Sequence, residues 1–198
     1  MTAFAQTVYF VTHPDVVIDP ATPVPEWPLS PRGRARMAQA LTLPWMSGIR
    51  AVWCSRERKA LDAADVLAAN LGLPISTLPV LGENDRSATG YLPGAEFEAL
   101  ADAFFANAEQ SVRGWERAVD AQHRIVDAVD QVVSASTGSG GDIAIVSHGG
   151  VGTLLLCHLR GEPISRDYDQ PRNNGGNYFA FDAATRRLRH GWTPIDGT

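Results

Sequence analysis

The run from Asp142 to Val146 (Asp-Ile-Ala-Ile-Val) ends in Ser147-His148-Gly149-Gly150 and passes at once into the apolar stretch Val151 to Leu159. A short, nearly unbroken apolar run reads as a strand deep inside a sheet. Paired glycines ahead of an apolar stretch read as a tight turn into a helix. The rest of the chain repeats the theme. Thr7 to Val11 and Ile49 to Trp53 are short strands rich in β-branched and aromatic residues. Arg56 to Leu71 has Ala60, Leu61, Ala64, Leu67, Ala68 and Leu71 on one stripe and is closed by Gly72 and Pro74, which predicts a helix. Further helices are predicted over Ala95 to Ala106 and Val112 to Val133, and a pair of strands over Asn177 to Phe181 and Leu188 to Trp192. Strands alternating with helices imply an α/β fold whose sheet is mostly parallel. The chain is read as one domain over 1–198, with 84–135 as a candidate helical lobe.

Composition narrows the class. Apolar residues at 44% and charged residues at 20% match an ordinary globular protein with a sizeable core. Two cysteines, Cys54 and Cys157, do not make a disulfide framework, and a reducing, cytoplasmic setting is expected. Met1 to Val11 shows no basic segment and no long apolar run, so no signal peptide is expected there. No stretch approaches the roughly 18 apolar residues of a membrane span. A net charge of −5 without basic blocks argues against nucleic acid and anionic membranes as partners. It leaves room for a small anionic substrate, because a local cationic pocket can sit on an acidic protein.

Two of the five histidines hold special positions. His13 follows the first strand and His148 follows the strand ending at Val146. Ligands of open α/β sheets bind outside the carboxyl ends of the strands, so both imidazoles are expected in one crevice. Gly149-Gly150 adds a helix start, whose free N–H groups and dipole favour an anion. Ser55, Arg56, Arg58 and Lys59, after the second strand, are expected at the same edge. Between His13 and the Ser30-Pro31 helix start, Pro14, Pro20, Pro23, Pro25 and Pro28 rule out helix and central strand, leaving a long loop of the kind that usually has a function. His158 is expected in the core, His123 on a solvated helix face, and Trp53, Trp115 and Trp192 in packing roles. No histidine pair has metal-ligand spacing, and Lys59 would repel a cation, so neither metal nor cofactor is expected.

In this setting the chain resembles the histidine phosphatase (phosphoglycerate mutase-like) superfamily. Ser147-His148-Gly149-Gly150 matches its late motif. Thr12-His13-Pro14 stands at its Arg-His-Gly, Cys54-Ser55-Arg56-Glu57-Arg58-Lys59-Ala60 resembles its second segment, and Leu81-Gly82-Glu83-Asn84 resembles its acid-bearing loop. Leu29-Ser30-Pro31-Arg32-Gly33 resembles the helix start after the first loop. The resemblance implies a three-layer, phosphoglycerate mutase-like fold and phosphoryl transfer through a phosphohistidine on His13. Glu83 would be general acid and then base, with Asp85 as its rival. Thr12, Ser55, Arg56, Arg58, Lys59, Arg86, His148 and Gly149 would hold the phosphoryl oxygens. Hydrolysis of a small phosphomonoester or a phosphorylated side chain is the function implied, without metal. Substrate selection would fall between Pro14 and Pro28 and between Asn84 and Gly114.

Three departures sit in the phosphate pocket. Thr12 and Lys59 stand where the family has arginines, and Pro14 where it has glycine. Arginine grips phosphate through a bidentate fork, which neither a hydroxyl nor an ammonium reproduces, and proline has no N–H to offer. The alternative expectation is therefore a weak or inactive member that binds an anionic ligand or a partner protein.

Overall fold

The computed structural model of the chain describes residues 6–197. Residues 1–5, part of the segment read for a signal peptide, and residue 198 of the expected 1–198 domain lie outside them. Six strands form one sheet: β1 (Thr7–Thr12), β2 (Ile49–Cys54), β3 (Ile75–Thr77), β4 (Asp142–Ser147), β5 (Asn177–Asp182) and β6 (Leu188–Pro194), in the order β3-β2-β4-β1-β5-β6. The first four in that order run parallel, and β5 and β6 continue the sheet antiparallel. The mostly parallel sheet expected from the alternation of elements is thus present.

Period-two alternation along the strands splits the core into two faces. Val11, Ala144 and Val146 face α1 (Pro31–Gln39) and α2 (Arg58–Leu71), where Met37, Ala64 and Leu67 meet them. Val8, Phe10, Ile143 and Ile145 face α4 (Ala118–Ala135) and α5 (Gly149–Arg160), against Ile125, Val129 and Leu155. These side chains are fully or almost fully buried, and each valine, isoleucine, leucine, phenylalanine or methionine among them contributes on the order of 1.5–3 kcal/mol. The result is three layers. A smaller cluster of Leu100, Phe104, Phe105 and Trp115 ties α3 (Gly94–Ala106) to Ala118, Ala121 and Leu154. The lobe beside the sheet is thus α3 with its flanking loops, while α4 belongs to the main layers. Among the described residues no helix is long and apolar enough to cross a membrane.

Three local expectations need correction. The helix expected over Val112 to Val133 is divided: Arg113 (φ 50°) and Gly114 (φ 81°) leave the helical region, Trp115 is extended, and α4 begins at Ala118. The break lets Trp115 plug the lobe core and lets the Glu116 N–H donate to the Asp85 carbonyl. The helix expected from Arg56 starts at Arg58, because Glu57 is extended in the cap position, its carbonyl accepting from Ala60 and Leu61. His158 is exposed near the end of α5 rather than in the core. Ser30 caps α1 as read from the sequence, its hydroxyl accepting from the Gly33 N–H at 3.0 Å with Pro31 in the first turn.

Candidate active site

Parallel pairing of β1 with β4 places Thr12 beside Ser147, so the next residues, His13 and His148, emerge side by side. The His13 N–H donates to the Ser147 carbonyl at 3.1 Å. The two rings lie 5.2 Å apart, inclined at 66°. The backbone of His13 is clamped from the other side. Its carbonyl accepts from Gly176 N–H at 3.2 Å, and a Cβ on Gly175 (φ 77°) would lie 2.3 Å from that carbonyl oxygen. Only glycine fits both the backbone angle and the approach. Gly175 and Gly176, just ahead of β5, are therefore the seat of His13.

The tautomer of His13 follows from its partner. Nδ1 lies 3.0 Å from the Pro14 carbonyl oxygen, which can only accept, so Nδ1 carries the proton. Burial, the neighbouring His148 and the Lys59 ammonium push this imidazole down to about 3. His13 is thus neutral near pH 7, with a free electron pair on Nε2. His148 is buried, and Nε2 lies 2.7 Å from Ser55 Oγ and 3.3 Å from Glu57 Oε1. The carboxylate can only accept, which puts the His148 proton on Nε2. Its buried Nδ1 is left without a hydrogen-bond partner. Burial also lowers His148, overcoming the pull of Glu57 and Glu83 toward the charged form.

Depressed histidines tie stability to pH. An unfolded imidazole takes up a proton near 6.5, whereas folded His13 resists protonation down to about 3. As pH falls, the unfolded state binds more protons and gains on the folded one. The melting temperature is expected to fall as pH drops from about 6.5 toward about 3, and to fall less in a His13→Ala variant; differential scanning calorimetry across that range checks it.

Two carboxylates complete the pocket. Glu83 stands after a turn in which Arg124 donates to the carbonyls of Val80, Gly82 and Glu83 while pairing with Glu116 at 2.8 Å. Glu83 accepts the N–H groups of Gly150 (3.1 Å) and Val151 (3.0 Å) at the start of α5. A Cβ on Gly150 would lie 2.7 Å from Glu83 Oε1, so a larger residue there would push the carboxylate from this seat. Burial opposes ionisation of Glu83, but Arg86, His148 and the Gly150 N–H outweigh it and hold the carboxyl below its usual range. Arg86 lies 3.9 Å from Glu83 and rests over the rings of Phe97 and Trp115. Glu57 binds Lys59 Nζ at 2.5 Å through Oε2 and accepts the Glu83 N–H at 2.8 Å through Oε1. Lys59, 3% exposed, also donates to the Val24 carbonyl at 2.8 Å and so ties down the proline-rich loop.

The structure therefore brings together His13, Ser55, Lys59, Glu83, Arg86, His148 and the Gly149-Gly150 helix start. It does not bring in Arg56, which is exposed, or Arg58, which turns to Asp62 at 2.9 Å. Thr12 is fully buried behind the pocket; its hydroxyl donates to Gln170 at 2.8 Å and accepts from the Asn177 N–H at 3.0 Å. Asp85 is exposed and caps the Ser87 N–H at 2.8 Å. Sequence reasoning passed over Glu57, Arg124 and Gln170 as site residues. Of these, Glu57 had a signal: it lies between Ser55 and Lys59, immediately after a strand whose end faces the crevice.

Comparison with known proteins places this geometry in context. A sequence model described as the histidine phosphatase superfamily (branch 1) matches residues 21–190, downstream of His13. No curated protein sequence matches the chain. Among solved structures, the mycobacterial glucosyl-3-phosphoglycerate phosphatase in complex with inorganic phosphate superposes with a TM-score of 0.76 at 21% identity, covering 98% of this chain and 100% of its own. YhfR of Bacillus stearothermophilus gives 0.75 at 21%, covering 94% and 95%. A putative alpha-ribazole-5'-P phosphatase of Escherichia coli gives 0.73 at 18%, covering 98% and 100%. At these identities the likeness shows the fold.

Proposed function

The chain belongs to the histidine phosphatase superfamily (branch 1), and from that footing we propose that it is a phosphatase that passes a phosphoryl group through His13 to water. The observation that carries this reading is the pair of neutral imidazoles 5.2 Å apart at adjoining strand ends, with the Glu83 carboxylate fixed on the helix start beside them. Nε2 of His13, with its electron pair free, attacks phosphorus as the bond to the leaving oxygen breaks. A phosphoryl group next to Glu83 adds negative charge beside the carboxyl and raises it from its depressed value. Glu83 can then hold the proton that the leaving oxygen takes. The ionised form of Glu83 removes a proton from the attacking water in the second half, and the P–N bond breaks. Lys59 and Arg86 supply the positive charge that the equatorial oxygens would need. A neutral imidazole nucleophile requires no metal-activated water, and Lys59 opposes a cation, so the reaction is read as metal-independent. The substrate class is a small phosphomonoester or a phosphorylated side chain. Two of the three structures named above carry a phosphatase description, one of them bound to phosphate, which supports an anionic substrate here.

Thr-His-Pro at residues 12–14 is read as this chain's form of the family's first motif, because His13 immediately follows the first strand. With Thr12 turned away to Gln170 and Lys59 bound to Glu57, the geometry also supports a second reading: a weak or inactive member that binds an anion or a partner protein. Hydrolysis of a generic aryl phosphate across about pH 5 to 8, with chelator present, separates the two. The phosphatase reading predicts chelator-resistant turnover that falls by roughly 10²–10⁴ in Glu83→Gln. Turnover absent throughout decides for the second reading; turnover unchanged in Glu83→Gln removes Glu83 from the reaction.

A further inference from the structure

A phosphate pocket should offer its cations to the ligand, and here they are already engaged. Lys59, the buried ammonium of the site, lies 2.5 Å from Glu57. The N–H groups of Gly150 and Val151 at the start of α5 are taken by Glu83. Two cations, Lys59 and Arg86, thus face two carboxylates, Glu57 and Glu83, while both imidazoles are neutral. Such a pocket balances its own charge, and a dianion entering it meets uncompensated repulsion. The groups facing Glu57 are Lys59 on α2, His148 after β4, His13 after β1, Glu83 with Arg86 on the acid loop, and Arg124 on α4. Its carboxylate is held down to about 2: burial opposes this, but His148 and Lys59 prevail. It therefore stays ionised in the empty pocket throughout the useful pH range.

Resting on the phosphatase reading, we propose that Glu57 is a charge-selecting residue: its carboxylate occupies Lys59, so the pocket takes a phosphoryl group in its singly charged, protonated form in preference to the dianion. The proton brought with the monoanion serves the reaction, since it balances the proton that leaves on the departing oxygen when Glu83 starts ionised. A dianion could bind only with uptake of a proton into the pocket. The second phosphate ionisation of a phosphorylated side chain falls near about 6, so the preference acts within the physiological range. Glu57 remains a specificity residue in this account, not a reacting one.

The test uses inorganic phosphate and titration calorimetry at about pH 5.5 and about pH 8, on either side of the second ionisation of inorganic phosphate itself. For the wild type, affinity at the higher pH is expected to be weaker by about tenfold or more, the scale of a close charge interaction. Repeating the titration in buffers of different ionisation enthalpy should show about one proton taken up at pH 8. Glu57→Gln keeps an oxygen acceptor for the Glu83 N–H and removes the negative charge that pairs with Lys59. It is expected to bind phosphate about tenfold tighter at pH 8 and to take up fewer protons. A Lys59→Gln substitution should cost more affinity in the Glu57→Gln background than beside Glu57, which a purely structural role for Glu57 would not produce. Phosphate binding no tighter in Glu57→Gln, or equal Lys59→Gln losses in both backgrounds, overturns the proposal. If Glu57→Gln does not fold, the wild-type proton count decides, and no proton uptake overturns it. Aryl phosphate turnover that depends on His13 while phosphate affinity ignores Glu57 would sink this inference and leave the phosphatase reading standing. Loss of both would remove the reading as well.

Discussion

His13→Ala will abolish aryl phosphate hydrolysis, with kcat/KM reduced by on the order of 10³–10⁶. The reason is local. Alanine offers no electron pair at the position where Nε2 now stands, and among the described residues no other group is placed to supply one. His148 donates its Nε2 proton toward Ser55 and Glu57, and its free Nδ1 is buried. Ser55 lies within the reach of His148 rather than of a base that would activate it. The fold should survive, because the His13 backbone is held by Ser147 and Gly176 independently of its ring. Steady-state assays beside circular dichroism check both points. Retained turnover in a folded His13→Ala protein would remove His13 from the reaction.

Arg36→Met should lower stability by about 3 kcal/mol or more and depress turnover with it. Arg36 is 8% exposed and donates to Asp196 (2.6 Å), Asp15 (2.8 Å), the Asn173 carbonyl (2.8 Å) and the Gly175 carbonyl (3.0 Å). Methionine fills much of the volume but removes the Arg36 guanidinium from Asp15 and Asp196, and breaking such a buried pair costs about 3–5 kcal/mol. For a chain of this size the melting temperature should fall by roughly 6–12 °C. The function follows because Gly175 and Gly176 seat the His13 carbonyl. A loop released from Arg36 lets the nucleophile move, and small displacements at a reacting centre are costly. Thermal denaturation with parallel assays measures this. An unchanged melting temperature would show that the network contributes nothing.

Much of the architecture was legible because strands and apolar helical stripes write their periods into the chain. The Asp142–Ser147 strand, its His148-Gly149-Gly150 turn and the α5 stripe stand where the residues place them. The break before α4 was not legible, since Val112, Trp115 and Val119 keep helical spacing across it; only the packing of Trp115 into the lobe and the pull of Asp85 on Glu116 decide it. The candidate site divides in the same way. Residues at strand ends, His13, Ser55 and His148, follow from topology. Side-chain direction does not: Arg56 and Arg58 share a helix start with Lys59, yet Lys59 turns inward while Arg58 turns to Asp62. The partners of Thr12 come from Gln170 and Asn177, more than 150 residues away, and no local pattern announces them.

The central claim is that a phosphoryl group rests on His13 during turnover. Rapid quenching of the reaction in alkali, followed by mass spectrometric mapping, tests it directly. The account predicts a transient phosphoryl adduct on the peptide that carries His13, one that accumulates in Glu83→Gln because the attacking water has lost its base. Turnover with no adduct on His13, or an adduct on Ser55 or His148 instead, would contradict it.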